Sequence, residues 1–436
     1  VPSLTEQLLA LNPWWTGRPF ETGIPRDRYF SRLRRYLDSR EIVVVTGVRR
    51  AGKTTLLYQC IDDLVRNRGV DPRRILFVNF DEPGLADGDD PIDRVLETYR
   101  RDVYPGEDPY LVLDEVQSVP GWERQLRSLH DRRQARVVVS GSSATLLDSS
   151  LSSLISGRYL ALTIYPLDFA EYLRFSGRPA PEDPLAIAAE RYELAHRLRE
   201  YRDAGGFPRV ATEADDLLRR DLLSAYFDSI VERDIVLANE VRDVRGLRSL
   251  ILSLLADVSC EFSYRRLADR LGLDAATVRE YVWFAVRARV LFEVPFFSYK
   301  VSVQTRNNRK CYCIDTGLRN AVAFRSSQDD GRLLENLVYL ELRRRGGEVY
   351  YWKGKGEVDF VWKRPDHPLT AINVTATDEI PAREMAALLE FATEQGDLPV
   401  DLVLLTADTG GTDGPVRLVP AWRWLLEAGS ADMQVP

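Results

Sequence analysis

Over the first 165 residues, short unbroken apolar runs alternate with stretches of helical spacing. Glu41–Thr46 is β-branched and almost uncharged, and Leu76–Phe80, Tyr110–Asp114, Arg136–Ser140 and Arg158–Ile164 repeat that signature, so five buried strands are predicted. Helices are expected at Arg26–Arg40, from Thr55 onward and over the amphipathic Gly121–Leu129. Strands that alternate with helices imply a parallel sheet covered on both faces. From Pro166 the pattern is helical, interrupted at Gly177–Pro184 and Gly205-Gly206-Phe207-Pro208. Two short helices follow, Ser263–Leu271 and one capped by Asp274, joined by Leu271-Gly272-Leu273-Asp274 and trailed by strand-like Val290–Val294. That order predicts a winged helix-turn-helix. Beyond residue 330 a helix (Leu333–Arg345) precedes three strands at 348–352, 356–362 and 371–375, the pattern of a small α/β domain.

At 436 residues the chain is too long for one core, and several domains are expected. The divisions read from the pattern are an arm and helix (1–40), an α/β core (41–165), a helical lid (166–244), the winged helix (245–300), the last α/β domain (301–420) and a tail (421–436). With 45% hydrophobic and 29% charged residues, composition is globular. A net charge of −7 gives no global field for nucleic acid, so any such binding needs a local patch. Six of the 59 basic residues are lysines, which makes Lys53, Lys353 and Lys355 stand out. Four cysteines and three histidines offer neither a disulfide framework nor a zinc site; Cys311-Tyr312-Cys313 has the wrong spacing. No apolar stretch is long enough to span a membrane and no signal peptide is read at the start, so a cytoplasmic protein with no membrane partner is expected.

The chemistry concentrates at two strand ends. Gly47-Val48-Arg49-Arg50-Ala51-Gly52-Lys53-Thr54 reads GxxxxGK[ST] between a strand and a helix, with Thr55 following. A glycine turn at a helix N-terminus points backbone N–H groups at an anion, so these residues are expected to cradle a nucleoside triphosphate. Lys53 is expected to reach the β- and γ-phosphates, and the Thr54 hydroxyl to ligate Mg²⁺. The second strand end is Asp114-Glu115. Asp114 suits the Mg²⁺-holding role, and Glu115 is placed to polarise the attacking water. An acid directly after that aspartate marks the additional-strand division of P-loop NTPases. No Asn-Lys-x-Asp guanine signature occurs, so ATP is expected rather than GTP.

Three stretches, GVRRAGKTTLL, SGSSATLL…SGRYLALTIYPLDFAEYL and LENLVYLELRRRGGEVYYWKGKGEVDFVW, resemble the prokaryotic AAA-type ATPases that carry a C-terminal domain of unknown function related to PD-(D/E)XK nucleases. The likeness runs from about residue 25 to 410. It implies that Ser140–Ser143 lies at the sensor 1 position, with Ser142 as the candidate hydroxyl, and that Arg158 is a candidate arginine finger across a subunit boundary. Such a finger is worth about 10³ or more in rate. It also implies a turn at Gly205–Pro208 with Arg209 beside it. In the nuclease-like domain Glu335 and Asp359 fill two of the expected acidic positions, but Asn373-Val374-Thr375 lacks the third acid and its lysine. A nuclease-like fold without cleavage is therefore expected, with Lys353 and Lys355 as spare cations. The outward face of the second winged helix (Thr277, Arg279, Glu280, Arg287) is mixed rather than basic, and suits nucleic acid and protein contact equally. The leading expectation is a Mg²⁺-dependent, homo-oligomeric ATPase, a ring such as a hexamer, that translocates or remodels DNA. The rival is a nucleotide-controlled switch acting on a protein partner.

Overall fold

The computed structural model describes residues 2–142, 157–324 and 329–427, which divide into two compact units, Val1–Ile164 and Tyr165–Pro436. In the first unit five strands form one parallel sheet: β1 (Ile42–Gly47), β2 (Ile75–Asn79), β3 (Tyr110–Asp114), β4 (Arg136–Ser142) and β5 (Tyr159–Ile164). Their order is β2-β3-β4-β1-β5, so β4 is inserted between the strand that leads into the glycine loop and the strand that ends at Asp114. Every residue of β1 is buried, as its uninterrupted apolar run requires. Gly47 packs so close to β5 that a Cβ there would lie 2.3 Å from the Ile164 carbonyl oxygen.

The free edge of β2 is covered by the N-terminal arm. The helix Leu4–Leu11 starts at a capping box formed by Ser3 and Glu6 and hands over to Asn12. The Asn12 amide then imitates a strand, accepting from the Phe77 N–H at 2.7 Å and donating to its carbonyl at 2.9 Å. The indoles of Trp14 and Trp15 both donate to the Ile75 carbonyl, at 3.1 and 2.7 Å. Side chains thus occupy the edge that another strand would otherwise seek.

The second unit opens with helices, among them Phe169–Phe175, Arg191–Ala204 and Asp216–Ser229. Its glycine turn has a specific occupant. Gly205 has φ +79°, and a Cβ there would meet the Asp315 carboxylate at 2.1 Å; the Gly206 N–H donates to that carboxylate at 2.6 Å. Asp315 also caps the helix Thr316–Val322 through the Leu318 N–H at 2.8 Å. The helices Tyr264–Leu271 and Ala275–Arg287 follow; Asp274 caps the second by accepting from the Ala276 and Thr277 N–H groups, both at 2.9 Å. Ser263, expected to cap the first, makes no such side-chain bond. A three-stranded antiparallel sheet comes next, in which β8 (Arg309–Cys313) lies between β6 (Glu261–Phe262) and β7 (Leu291–Pro295). Its central strand lies past the residue-300 boundary drawn from the sequence.

The last domain holds six strands, where the sequence pattern suggested three. β9 (Glu348–Lys353), β10 (Glu357–Lys363) and β11 (Leu369–Val374) form an antiparallel meander; β12 (Val400–Thr406) and β14 (Val416–Pro420) then run parallel to β11, and β13 (Gly411–Asp413) pairs with β14 at the edge. The helix Ala382–Glu394 buries Ala387, Leu388 and Phe391 against Val361, Ala371, Leu402 and Leu404. The expected tail begins instead with a helix, Ala421–Leu426, whose Trp422 and Trp424 are buried. Among the described residues no helix is long and apolar enough to cross a membrane.

Burial pushes the Asp315 carboxyl up to about 6, against the backbone N–H groups that favour its charged form. A raised acid stabilises the fold below its unfolded value and loses that contribution as pH rises through the folded one. Asp315→Asn, which cannot titrate, is therefore expected to fall further behind the wild type in stability as pH is lowered from 6 to 4. The change is about 3 kcal/mol at most, read as the gap between their denaturant midpoints.

Candidate functional site

The glycine loop joins β1 to the helix Lys53–Arg66, and Gly52 takes the helix N-cap position with φ +95°, a left-handed conformation that costs glycine little. Arg50 is also left-handed at φ +67°. Val48 and Ala51 are buried, which pins the loop, whereas Arg50 and Thr55 are exposed and Arg49 is half-buried. Lys53 is buried, and its ammonium donates to the loop carbonyls of Gly47 at 3.1 Å and Val48 at 3.3 Å. Those are neutral acceptors, and a phosphate oxygen is a stronger one.

At the ends of the neighbouring strands, Asp114 is fully buried. One of its oxygens accepts from the Thr54 hydroxyl at 2.7 Å, and the other accepts from the Ser140 hydroxyl. Hydroxyl and carboxylate oxygens are the hard ligands that Mg²⁺ prefers, so these residues fit that ion. Glu115 follows in a left-handed conformation, φ +51°, with Gln117 donating to its carboxylate at 2.5 Å. Burial raises the Glu115 carboxyl above its usual range; Lys53 opposes this and Asp114 adds to it. An acid raised in this way is a stronger base than a solvated glutamate.

Sequence reasoning chose Ser142 as the hydroxyl of β4. Ser142 is buried and pairs in register with Gly47, while Ser140, two residues earlier on the same face, is the one bonded to Asp114. Ser143 lies outside the described residues. Arg158 is not brought to this site: it precedes β5, its carbonyl accepts from the Ile42 N–H at the start of β1, and its guanidinium bonds Asp131 at 2.7 Å. In a parallel sheet that is the end opposite the glycine loop. Arg209 belongs to the second unit and pairs with Glu213 at 2.9 Å.

Two supporting residues escaped sequence reasoning. Gln59, on the loop's helix, donates to the carbonyls of Thr22 and Ile24 at 2.8 and 2.9 Å. Arg26 is buried and donates to the Ala51 carbonyl, inside the loop, at 2.8 Å. Together they fasten the chain before β1 against the loop, and no local motif signals either contact.

A second polar centre lies in the other unit. The ammonium of Lys310, on β8, is buried 3.0 Å from Glu335, 2.7 Å from Glu357 and 3.1 Å from Asp359. Tyr312 donates to Glu335 at 2.6 Å. Asn373, where the acid was missing, instead accepts from the Asp359 N–H at 3.0 Å and donates to Glu384 at 2.7 Å. Burial and then the neighbouring Asp359 push the Glu335 carboxyl up. The spare cation is therefore Lys310. Lys353 pairs with Glu261 at the rim, and Lys355 touches Glu390 through its backbone. Among the described residues no three His, Cys, Asp or Glu side chains assemble as a metal site.

On the helix Ala275–Arg287, the face considered for nucleic acid is engaged locally. The Thr277 hydroxyl donates to Asp274 at 2.5 Å, Arg279 lies over the Tyr264 ring at 5.6 Å, and Arg287 lies over Trp283 at 4.3 Å. Trp283 itself is 50% exposed.

Residues 39–173 match an AAA domain, and residues 195–329 and 330–423 match two domains of unknown function, DUF8612 and DUF4143. An uncharacterized protein of Haemophilus influenzae is 31% identical over 357 residues, covering 79% of this chain and 85% of the relative. An uncharacterized protein of Methanocaldococcus jannaschii is 29% identical over 410 residues, 88% of each chain. Among solved structures, the Aeropyrum pernix ORC1 protein in complex with DNA aligns with 71% of this chain and 95% of its own at 14% identity, with a TM-score of 0.32.

Removing the Lys310 charge would leave three carboxylates facing one another. Lys310→Met is expected to destabilise the protein by about 3–5 kcal/mol near neutral pH. Burial pushes Glu335 up to about 8, so on acidification from neutral pH the deficit should shrink as Asp359 protonates. Urea titrations at several pH values check both the size and the direction.

Proposed function

This chain belongs to the same protein family as its Haemophilus influenzae relative, and from its AAA domain and the groups around Asp114 we propose that it is a Mg²⁺-dependent ATPase. One observation carries the reading: a buried aspartate bonded by the glycine-loop threonine and by a strand serine, with a raised glutamate directly after it. The loop from Gly47 to Thr55 binds the triphosphate, and Lys53 exchanges its carbonyl partners for phosphate oxygens. Thr54 and Asp114 would hold Mg²⁺, which would supply neutralising charge to the phosphates. Glu115 orients the water that attacks the γ-phosphorus and takes its proton, while the bond to the bridging oxygen of ADP breaks. Ser140 fixes the Asp114 carboxylate, and Ser142 is the hydroxyl beside the loop that senses the phosphate.

The protein acts as a homo-oligomer, a ring such as a hexamer, in the cytoplasm, with Arg158 serving a neighbouring subunit's ATP. Its turnover drives DNA translocation or remodelling through the winged-helix and nuclease-like domains, of which the second is non-catalytic. Occupation of its acidic centre by Lys310 supports that last point. A second reading, a nucleotide-controlled switch acting on a protein, is favoured by one specific observation: Arg279 and Arg287 are stacked on this chain's own aromatic rings.

Steady-state hydrolysis with and without single-stranded, duplex and branched DNA separates the two readings. Lys53→Ala is expected to abolish turnover, and Glu115→Gln to lower it by about 10² or more while leaving ATP binding intact. Stimulation by one DNA form supports the motor. Turnover indifferent to every DNA, with an oligomer that changes size between ATP and ADP, favours the switch.

Arg158→Ala is expected to bind ATP normally, yet lose turnover in the assembled protein. Mixing it with Glu115→Gln subunits should restore activity at some ratio, because each supplies what the other lacks. No restoration at any ratio would remove the role in trans.

A further inference from the structure

The six-stranded sheet carries a second feature, remote in the chain from the ATP-binding loop. Trp362, Thr370 and Asp401 stand side by side across β10, β11 and β12, and Ile372, Val403 and Arg417 form the next row across β11, β12 and β14. In register, such residues point to one face of the sheet. They floor a cleft of about 420 Å³ whose walls include Arg345, Arg364, His367 and Trp424.

The two wall arginines are held before any ligand arrives. The Arg364 guanidinium lies 3.9 Å from the centre of the Trp362 ring, and the Trp362 indole is itself fixed by donating to the Gly346 carbonyl at 2.8 Å. Arg345 lies 3.9 Å over Trp424 and donates to that residue's carbonyl at 2.7 Å. Stacking of this kind fixes the guanidinium plane, which lowers the entropy lost when its edge pairs with an anion.

Charge in the cleft is not balanced. Three arginines line it against one acid, Asp401. Arg345 is partly answered from behind by Glu341 at 3.1 Å; among the described residues Arg364 and Arg417 make no ion pair within 4 Å, and Asp401 acts on Arg364 only at longer range. The Arg364 Nε and the Thr370 hydroxyl are buried with no hydrogen-bond partner, and Thr370 as a whole is 6% exposed. Burial, and then Arg345, pull the Arg364 guanidinium below its ordinary range, with Asp401 opposing them. Arg364 is half-buried, and an N–H shut away from water without a partner costs free energy that a bound acceptor would recover.

We propose that this cleft binds a phosphate monoester through Arg364 and Arg417, with Arg345 completing its positive wall. The excess of two positive charges among the lining residues matches a dianion, and guanidinium forks pair bidentately with phosphate oxygens. A carboxylate would answer only half of that excess. The group comes either from a free mononucleotide or from the phosphorylated end of a nucleic acid strand, and the chemistry of recognition is the same for both.

The test uses the full chain carrying Lys53→Ala, so that the glycine loop does not contribute. Tryptophan fluorescence, with Trp362 and Trp424 as reporters, is followed on titration with inorganic phosphate, AMP, a 5′-phosphorylated single-stranded oligonucleotide and the same oligonucleotide ending in a hydroxyl. Phosphorylated probes are expected to bind, and Arg364→Gln and Arg417→Gln each to weaken them about tenfold or more. Arg383→Gln, an exposed arginine on another helix, should leave binding unchanged. Equal binding of AMP and the phosphorylated strand identifies a free phosphate group as sufficient; binding of the strand alone identifies a nucleic acid end. The proposal is overturned if the phosphorylated and hydroxyl oligonucleotides bind alike. It is equally overturned if both arginine variants bind undiminished, or if no probe binds up to about 1 mM. Arg417 is exposed, so its variant is expected to fold and melt as the parent does, which keeps a loss of binding interpretable.

Discussion

A buried carboxylate in a parallel sheet must be answered by donors, and Asp114 is answered from both sides. Its two oxygens take hydroxyl protons from Thr54 and Ser140. Those residues come from the first turn of the loop's helix and from the strand inserted beside β3. One charge therefore joins the loop, the acid-bearing strand and its neighbour. Left without these bonds, a fully buried carboxylate would protonate or disrupt its surroundings. Because Thr54 is tied to Asp114, the helix start is fixed, and with it the place of Lys53 and of the converging N–H groups. The strand order serves the same bond: β4 lies directly beside β3, within reach of the acid.

The two acidic centres of this chain show how the donor type decides what an acid can do. Around Asp114 the donors are neutral hydroxyls, which carry no charge of their own to compete with a cation. Around Glu335 and Asp359 the donor is an ammonium on a buried side chain, reinforced by the Tyr312 hydroxyl. A cation built into the fold balances those carboxylates permanently. Displacing it would require moving a buried lysine, with the desolvation and packing losses that entails. Asn373 belongs to the same arrangement, since its amide can both accept from the Asp359 backbone and donate to Glu384. No carboxylate could do both.

What was legible in the sequence is what local chemistry dictates. β1 and β3 are uninterrupted apolar runs, the glycine loop needs Gly52 in a left-handed conformation, and Asp274 caps its own helix two and three residues on. What escaped depends on partners far along the chain. Lys310 meets Glu335 across 25 residues and Asp359 across 49, and the Asp315 bond to Gly206 spans 109. Nothing in the spacing of lysines could select Lys310 over Lys353, because the choice is made by how β8 packs. Ser140 and Ser142 share one face of β4, so alternation alone could not say which meets Asp114. The strand Val400–Thr406 carries the same apolar signature as β1 and could have been read; the fully exposed, polar Gly411–Asp413 could not.

Arg158 illustrates why position and role must be argued separately. It stands at the sheet end opposite its own glycine loop, so it has no route to a ligand held in that loop. In isolation its guanidinium rests on Asp131, and that contact holds the Asp131 carboxyl below its usual range. Both partners are substantially exposed, 33% and 42%. An ion pair in that setting contributes little net stability, because water screens it and two long side chains must be ordered to form it. A guanidinium pairs more strongly with phosphate oxygens than with an exposed carboxylate, which is the physical basis of the role in trans proposed for Arg158. The exposed pair is thus compatible with a parked finger, whereas a buried, multiply bonded arginine such as Arg319 is not free to serve one.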